Sequence, residues 1–168
     1  TIADNTDAPA LVEALPFEPR GRTALVLGAG GSARAAVWAL LDAGAAEVRV
    51  WNRTAQRARE LCAEIGGTPV STAEPADILV HCTASGLDAS DEVFKQLPLA
   101  ADDLRGYDCV VDLVYTGTDT RLLRAAAAHG LAVVDGLELL IGQGALSFRR
   151  FTGMEAPVEV MRAAVRSR

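Results

Sequence analysis

The fold of this chain is decided near its start by an apolar run, Thr23-Ala-Leu-Val-Leu27, and the turn behind it, Gly28-Ala29-Gly30-Gly31-Ser32-Ala33. Glycine lets the backbone turn tightly and approach a pyrophosphate without a Cβ in the way, and a helix that begins here offers unpaired N–H groups to the anion. Ala33 occupies the place of a third glycine, which this pattern tolerates. We therefore predict that the six turn residues bind a dinucleotide; a tight strand–helix turn without a ligand is the alternative.

Short β-rich runs alternate with Ala-rich helical patterns along most of the chain. The predicted strands are 23–27, 48–51, 77–80, 109–113 and 132–134, with 68–70 as a weaker sixth, and the predicted helices are 32–43, 54–65, 119–129 and 137–150. Near-continuous apolar strands indicate burial on both faces, as in a parallel sheet between helices. The sequence thus predicts an α/β fold, a Rossmann-like doubly wound parallel sheet with helices on both faces.

Length, composition and charge exclude several classes of protein. With 168 residues, half of them apolar, the chain has the length of one domain with its own core, which excludes a disordered tail, a collagen-like rod and a coiled coil. The net charge of −6 repels phosphate backbones, so we expect no nucleic acid as the main partner. A small phosphorylated ligand can still bind, because a few local donors outweigh a diffuse field.

Cysteine spacing and hydropathy indicate the compartment. Cys62, Cys82 and Cys109 have neither the spacing of a disulfide framework nor that of zinc ligands, so we predict no metal site and a reducing compartment. No apolar run reaches the roughly 18 residues that span a bilayer, and no basic leader precedes an apolar stretch. We expect a cytoplasmic protein without membrane contact.

The residues behind the second predicted strand indicate which dinucleotide binds. An NAD site carries an acidic residue about 20 positions past the glycine turn, but this chain has Asn52-Arg53-Thr54 with Arg57 one turn later, and Glu47 lies at the wrong end of the strand. Guanidinium, hydroxyl and amide donors suit a 2′-phosphate, each charge-assisted hydrogen bond contributing roughly 1.5–3 kcal/mol. The pattern favours NADP; the alternative is Thr54 as a simple helix cap beside solvated arginines.

Two terminal segments lie outside the strand–helix alternation. We predict a linker helix within residues 1–20, the cofactor-binding domain over 21–153, and a C-terminal helix within 154–168 with Val158, Met161 and Val165 on one face. Either terminal helix packs on this domain or on something that the sequence does not contain.

The longest irregular connection is predicted between Gly86 and Gly106.

With these residues in place, the chain resembles the shikimate dehydrogenase family, specifically its C-terminal cofactor domain. The resemblance runs along essentially the whole sequence, through Asn5-Thr6-Asp7, the glycine turn, Asn52-Arg53-Thr54 with Arg57, Asp112-Leu-Val-Tyr115, Asp135-Gly136 with Leu139-Leu140 and Gln143, and Phe151-Thr-Gly153. It implies NADP-linked interconversion of 3-dehydroshikimate and shikimate, a hydride transfer at a ring carbinol.

The resemblance implies roles for three residues at the substrate. Asp7 would hydrogen-bond the substrate hydroxyl and partner a catalytic lysine, while Tyr115 and Gln143 would hold the ring and its polar groups. Each residue also has an interpretation without function. Asp7 suits a helix start, Gln143 an ordinary polar helix position, and Tyr115 a boundary aromatic.

At the cofactor, the resemblance implies that Leu113 and Gly136 line the nicotinamide end, and that Thr83 joins the binding set. Thr83 belongs to His81-Cys82-Thr83, which stands where the family usually has Asn-Ala-Thr. This departure affects the contacts near the nicotinamide ribose. His81 is either a group that titrates there or a hydrogen-bonded structural histidine.

A second departure is the family's substrate domain with its Ser-Lys-Thr catalytic lysine, which should precede Asn5 and is not in this sequence. Lys95, the only lysine, lies in the acidic connection. Because proton transfer needs a positioned acid–base group, we expect a fragment that binds NADP and catalyses little or nothing alone. We also expect the terminal helices, exposed without that domain, to promote self-association.

Three classes of function stay open. The first is the cofactor half of a shikimate dehydrogenase or of a quinate/shikimate dehydrogenase. The second is another NADP oxidoreductase such as a glutamyl-tRNA reductase, which gives no reason for Asn5-Thr6-Asp7 or Gln143. The third is a non-catalytic nucleotide-binding module, which the missing lysine allows.

Overall fold

The computed structural model describes residues 5–85, 92–115 and 118–166. The strands in these ranges are β1 (Thr23–Leu27), β2 (Glu47–Trp51), β3 (Thr68–Pro69), β4 (Ile78–His81), β5 (Cys109–Asp112) and β6 (Ala132–Val134). The α-helices are α1 (Asp7–Ala14), α2 (Gly31–Asp42), α3 (Ala55–Ile65), α4 (Val93–Gln96), α5 (Arg121–Ala128), α6 (Gly136–Thr152) and α7 (Val158–Arg166), and a 3-10 helix covers Ala101–Gly106. Among the described helices, none combines the length and the apolar character that crossing a bilayer requires.

All six strands are parallel and lie in the order β3-β2-β1-β4-β5-β6. The chain first moves outward from β1 to β2 and β3, then returns to pair β4 with the other side of β1. Where the strand order reverses in this way, a crevice opens outside the carboxyl ends of the two strands. The predicted doubly wound fold is confirmed, and its crevice lies at the ends of β1 and β4.

Buried apolar side chains cover both faces of the sheet. Successive residues of β1 point to opposite faces, so Val26 joins one cluster with α1, α2 and α3, and Leu25 joins another with α4, α5 and the 3-10 helix. Both side chains are fully buried. Helices therefore lie on both faces, as the apolar strands predict.

The two terminal helices both pack on this domain. α1 lies against α2 and α6 and buries Ala8 and Leu11. α7 lies against α6, where Val158, Met161 and Val165 are half-buried. Both helices therefore contact this domain, and whether either one also packs on another segment stays a prediction.

The connection between residues 86 and 106 is more regular than expected. Within its described part, α4 and the 3-10 helix form because apolar residues at intervals, among them Val93, Leu97 and Leu104, are buried against the sheet. The prediction of one long irregular segment is therefore wrong for residues 92–106, while 86–91 lie outside the described residues.

Candidate functional site

A cleft of about 180 Å³ lies at the carboxyl edge of the sheet and brings together residues from distant parts of the chain. Its walls include six predicted site residues, Asp7, Ser32, Leu113, Tyr115, Gly136 and Gln143, and apolar side chains, Leu11, Ala35, Ala36, Leu139 and Leu140. The cleft thus has a mainly apolar body with a few polar groups, as small-molecule sites commonly have.

The first glycine of the turn is required by the fold itself. Gly28 has φ +122°, and a Cβ there would lie 2.9 Å from the carbonyl oxygen of Cys82. Its N–H donates to Trp51 O at 2.7 Å, and the N–H of Cys82 donates to Leu27 O at 2.8 Å. Gly28 therefore lets the ends of three neighbouring strands meet closely.

Gly30 and Gly31, the next two glycines, are not required by packing against the described residues. A Cβ on Gly30 or Gly31 would meet no atom of the described residues within 4 Å, and neither has a positive φ. Gly30 is the N-cap of α2, whose first turn has no side-chain cap and no acidic residue. The positive end of α2 therefore faces open space, and the backbone there can approach an anion closely.

Cationic and hydroxyl groups lie beside this turn, at the end of β2. Arg53, Thr54 and Arg57 are exposed, and within the described part of the chain the two guanidinium groups have no hydrogen bond or ion pair. Thr54 is the N-cap of α3, but its side chain accepts no capping hydrogen bond. Asn52 Nδ2 donates to Thr54 O at 2.9 Å and orders the segment. Thr54 thus occupies the N-cap position beside exposed arginines, as the alternative without a ligand also expects, but its hydroxyl makes no capping hydrogen bond.

The N-terminal motif places a carboxylate in the cleft. Thr6 is the N-cap of α1, and Asn5 Oδ1 accepts from the N–H groups of Asp7 and Ala8, at 2.9 and 3.1 Å, so the side chain of Asn5 and not that of Asp7 satisfies the first turn. Asp7 is exposed and, in the ranges that the structure covers, its carboxylate has no hydrogen-bond or ion-pair partner. α1 does begin at Asp7, as the interpretation without function expects, but the Asp7 side chain caps no N–H group, so its carboxylate is available to a ligand.

Gln143 is connected to this same motif. Thr6 Oγ1 donates to Gln143 Oε1 at 3.4 Å and lies 3.2 Å from Ser147 Oγ, which joins the start of α1 to α6. Thr6 is a site residue whose role the sequence did not reveal, although it stands inside the quoted motif. Gln143 is therefore tied to the cleft wall instead of lying on a solvated helix face.

Gly136, Leu113 and Tyr115 form the wall opposite α2. A Cβ on Gly136 would lie 2.8 Å from the carbonyl oxygen of Leu113, so α6 can begin here only with glycine. Tyr115 is 55% exposed at the mouth of the cleft. Both the cofactor role predicted for Gly136 and its packing role are compatible with this geometry.

Behind the cleft, His81 and Asp112 form a buried pair with Nδ1 and Oδ1 2.8 Å apart. Asp112 also accepts from Thr120 Oγ1 at 2.6 Å, and His81 Nε2 lies 2.6 Å from Thr83 Oγ1. Of the two interpretations of His81, the structure shows the hydrogen-bonded one. The sequence did not reveal Thr120, because its contact with Asp112 depends on the loop between β5 and α5.

Burial and charge also suppress thiol ionisation near the turn. Burial and the Asp112 carboxylate raise the pKa of Cys82 far above its ordinary value, and burial raises the pKa of Cys109 to about 11. A thiol in such surroundings is inert as a nucleophile. Neither side chain lines the cleft.

Lys95 lies away from the cleft. It is exposed on α4 and pairs with Glu92 on the solvent side. It therefore does not partner Asp7.

Two family models match parts of this chain. The model of the shikimate 5′-dehydrogenase C-terminal domain matches residues 136–166, and that of shikimate / quinate 5-dehydrogenase matches residues 13–91. Shikimate dehydrogenase (NADP(+)) of Halobacterium salinarum is 47% identical over 154 residues, 88% of this chain and 56% of the relative. The enzyme of the same name from one strain of Thermus thermophilus is 46% identical over 166 residues, 96% of this chain and 61% of the relative. The chain thus spans about three fifths of the length of these curated relatives.

Solved structures agree with these matches. Shikimate 5-dehydrogenase of a second Thermus thermophilus strain, in complex with NADP(H) and shikimate, has a TM-score of 0.82 and 44% identity, covering 97% of this chain and 62% of that one. Shikimate dehydrogenase of Aquifex aeolicus has a TM-score of 0.81 at 31% identity, covering 96% and 61%. Ligand-free 5-ketofructose reductase of a Gluconobacter species has a TM-score of 0.80 at 29% identity, covering 94% and 61%.

Proposed function

We propose that this chain, which belongs to the shikimate dehydrogenase family, is the NADP-binding domain of an enzyme that reversibly reduces 3-dehydroshikimate to shikimate. When bound, NADPH supplies the hydride for this reduction. The chain's own part is to bind the dinucleotide and to hold one wall of the substrate site.

The observation that carries the proposal is the open environment of Gly30 and Gly31. Neither glycine is needed for packing or for its backbone angles, so the fold alone gives no reason to omit a side chain at either position. A pyrophosphate lying on the uncapped end of α2 does give one, because a Cβ would hold it away from the N–H groups. The residues present therefore fit a dinucleotide.

The choice of NADP over NAD rests on the end of β2. Arg53, Thr54 and Arg57 are exposed beside the glycine turn, with guanidinium and hydroxyl groups that are not engaged elsewhere in the described part of the chain. They can hydrogen-bond a 2′-phosphate, whereas no carboxylate stands at this end of β2 to accept from a 2′-hydroxyl.

The substrate end of the proposal rests on the cleft. Asp7 provides a carboxylate that is unpaired among the described residues and can accept from a substrate hydroxyl, and Gln143 and Tyr115 add an amide and a phenol on the neighbouring walls. Leu113 and Gly136 supply the apolar wall on which a nicotinamide ring can lie.

Dehydrogenase activity requires more than these groups. Proton transfer at the carbinol needs an acid–base group near the substrate, and Lys95 lies outside the cleft. We propose that the acid–base group comes from a segment corresponding to the part of the relatives that this chain does not match, and that the present chain alone binds NADP with little activity.

A second candidate is oxidation of quinate. One matching family model covers both shikimate and quinate dehydrogenases. We also propose that the protein is cytoplasmic and that copies of this chain associate with one another. Free thiols at Cys62, Cys82 and Cys109 support a reducing compartment, and exposed Phe151 and Val160 support contact between copies.

Calorimetric titration of the purified chain with NADPH and with NADH tests the proposal. We expect tighter binding of NADPH, because only NADPH carries the 2′-phosphate. Equal affinities would refute the assignment of NADP, and no binding of either nucleotide would refute the dinucleotide domain as a whole.

A further inference from the structure

A chain of hydrogen bonds connects the ends of β4 and β5 beneath the dinucleotide crevice. It runs from Thr120 through Asp112 and His81 to Thr83, with heavy-atom distances of 2.6, 2.8 and 2.6 Å. His81 and Asp112 are almost completely buried. Such a network fixes the direction of each hydrogen bond within it, because no water competes for the groups.

At Asp112 the direction is set by the number of donors. Oδ1 accepts from the N–H of Val114 at 3.0 Å, and Oδ2 accepts from the hydroxyl of Thr120. An ionised carboxylate can only accept, so the proton between Asp112 and His81 lies on Nδ1 of the imidazole. His81 is therefore the donor to Asp112.

The direction of the hydrogen bond between His81 and Thr83 follows from that of the hydrogen bond between His81 and Asp112. A neutral imidazole has one donor nitrogen and one acceptor nitrogen. In a neutral ring that donates from Nδ1, Nε2 is an acceptor. The hydroxyl proton of Thr83 then points to His81, while Thr83 Oγ1 accepts from the N–H of Ser85 at 3.1 Å. One lone pair of Thr83 is left over.

The position of Thr83 in the fold decides which groups its remaining lone pair can meet. β4 pairs with β1 so that His81 lies opposite Leu27, and Cys82 contacts Gly28. Thr83 is the next residue of the chain and follows the strand end at which the sheet order reverses. It therefore borders the crevice in which a dinucleotide crosses the sheet.

We propose that His81 is a positioning residue which, by taking the hydroxyl proton of Thr83, leaves that hydroxyl as an acceptor only toward the crevice. The partner that it selects is an O–H or N–H donor of the dinucleotide, such as a ribose hydroxyl or a carboxamide. This inference rests on the proposed function, because it concerns contacts of the same ligand.

Nuclear magnetic resonance of the ligand-free chain tests the hydrogen-bond direction without any nucleotide. Long-range ¹⁵N–¹H correlation spectra of the His81 ring should show a proton on Nδ1 and none on Nε2. A proton on Nε2 would overturn the inference, since Thr83 would then accept from His81 and be free to donate outward.

A double-mutant cycle tests the role. His81→Asn retains a donor near Asp112 and loses the reach to Thr83, and Thr83→Val removes the hydroxyl. Each should weaken NADPH binding about threefold to tenfold, the loss of one hydrogen bond. In the Thr83→Val background, His81→Asn should have no further effect, because its action passes through the hydroxyl. Thr83→Ser, which keeps the hydroxyl, should retain most of the affinity.

Thermal unfolding of the same variants separates this role from a structural one. His81→Asn should unfold within a few degrees of the unsubstituted chain. Independent, additive losses of affinity in the cycle would overturn the inference and leave NADP binding intact. If the unsubstituted chain binds no NADPH, the proposed function fails instead, whatever the NMR spectra show for His81.

Discussion

Gly28 lies so close to Cys82 that a Cβ on the glycine would stand 2.9 Å from the cysteine's carbonyl oxygen. This approach joins the end of β1 to the end of β4 at the mouth of the dinucleotide crevice. Of the three glycines in the turn, the fold therefore needs Gly28 but does not need Gly30 or Gly31.

We expect Gly28→Ala to destabilise the chain by about 2–4 kcal/mol, because alanine must adopt a φ of +122° and also displace the β4 backbone. Urea unfolding followed by circular dichroism measures this loss. Stability equal to that of the unsubstituted chain would contradict the close approach between Gly28 and Cys82.

Gly30→Ala is the matched variant, and the opposite result is expected. Its Cβ meets no atom of the described residues within 4 Å and its φ of −89° is ordinary, so the unfolding free energy should change by less than about 1 kcal/mol. NADPH affinity should fall at least about tenfold, because the Cβ meets the pyrophosphate. Unchanged affinity in calorimetric titration would show that the phosphates lie elsewhere.

Arg53→Ala should lower NADPH affinity roughly 10- to 100-fold, the loss of a charge-assisted hydrogen bond to the 2′-phosphate. NADH affinity should hardly change, because NADH has no such phosphate. Arg59→Ala is the control on α3, since Arg59 donates to Gln56 on the same helix at 3.1 Å and stands farther from the turn. Equal losses for both nucleotides would mean that Arg53 supports the fold.

α7 should detach from α6 as the pH falls. Hydrogen bonds from Arg162 hold the pKa of Glu138 below its ordinary value of 4.5, with Arg166 adding to the effect. Because the folded-state pKa is the lower one, the stabilisation is complete above pH 4.5 and is lost as the pH falls through the folded-state pKa. Hydrogen exchange of the α7 amides should therefore accelerate in acid.

Glu138→Gln should give the same fast exchange of α7 at pH 7. Glu159→Gln is its control, because Glu159 pairs with Arg162 within α7 and does not bridge to α6. If α7 exchanges equally slowly in all three proteins, the ion pairs of Glu138 do not hold the helix.

The native thiols should resist alkylation. At pH 8 a thiol with a pKa of about 11, as at Cys109, is almost entirely protonated, and Cys82 is shifted further in the same direction. Mass spectrometry after iodoacetamide treatment should show little modification of either residue, against full modification of an exposed Ser71→Cys control. Rapid labelling of Cys82 would contradict the raised pKa of its thiol.

Much of the fold could be predicted because it depends on local patterns. The run of apolar residues at 23–27, the glycine turn and the following helix lie next to one another in the chain, so their order was sufficient to predict a strand, a turn and a helix. The connection before β5 was predicted incorrectly. Its apolar residues, such as Val93 and Leu104, become helical only when the sheet offers them a surface.

The amino-acid order by itself determined the parallel α/β architecture and placed the NADP-type residues behind β2, since both follow from residues a few positions apart. Only the tertiary structure decided that Asp7 and Gln143 share one cleft, that the side chain of Asn5 and not that of Asp7 satisfies the first turn of α1, and that His81 pairs with Asp112. The cleft and the buried pair join residues far apart in the chain, and the side chain that satisfies the first turn was one of several chemically equivalent local choices. The order of the strands brings His81 beside Asp112, and the packing of α1 on α6 brings Asp7 and Gln143 into one cleft, because buried polar groups and apolar helix faces must find their partners within the folded chain.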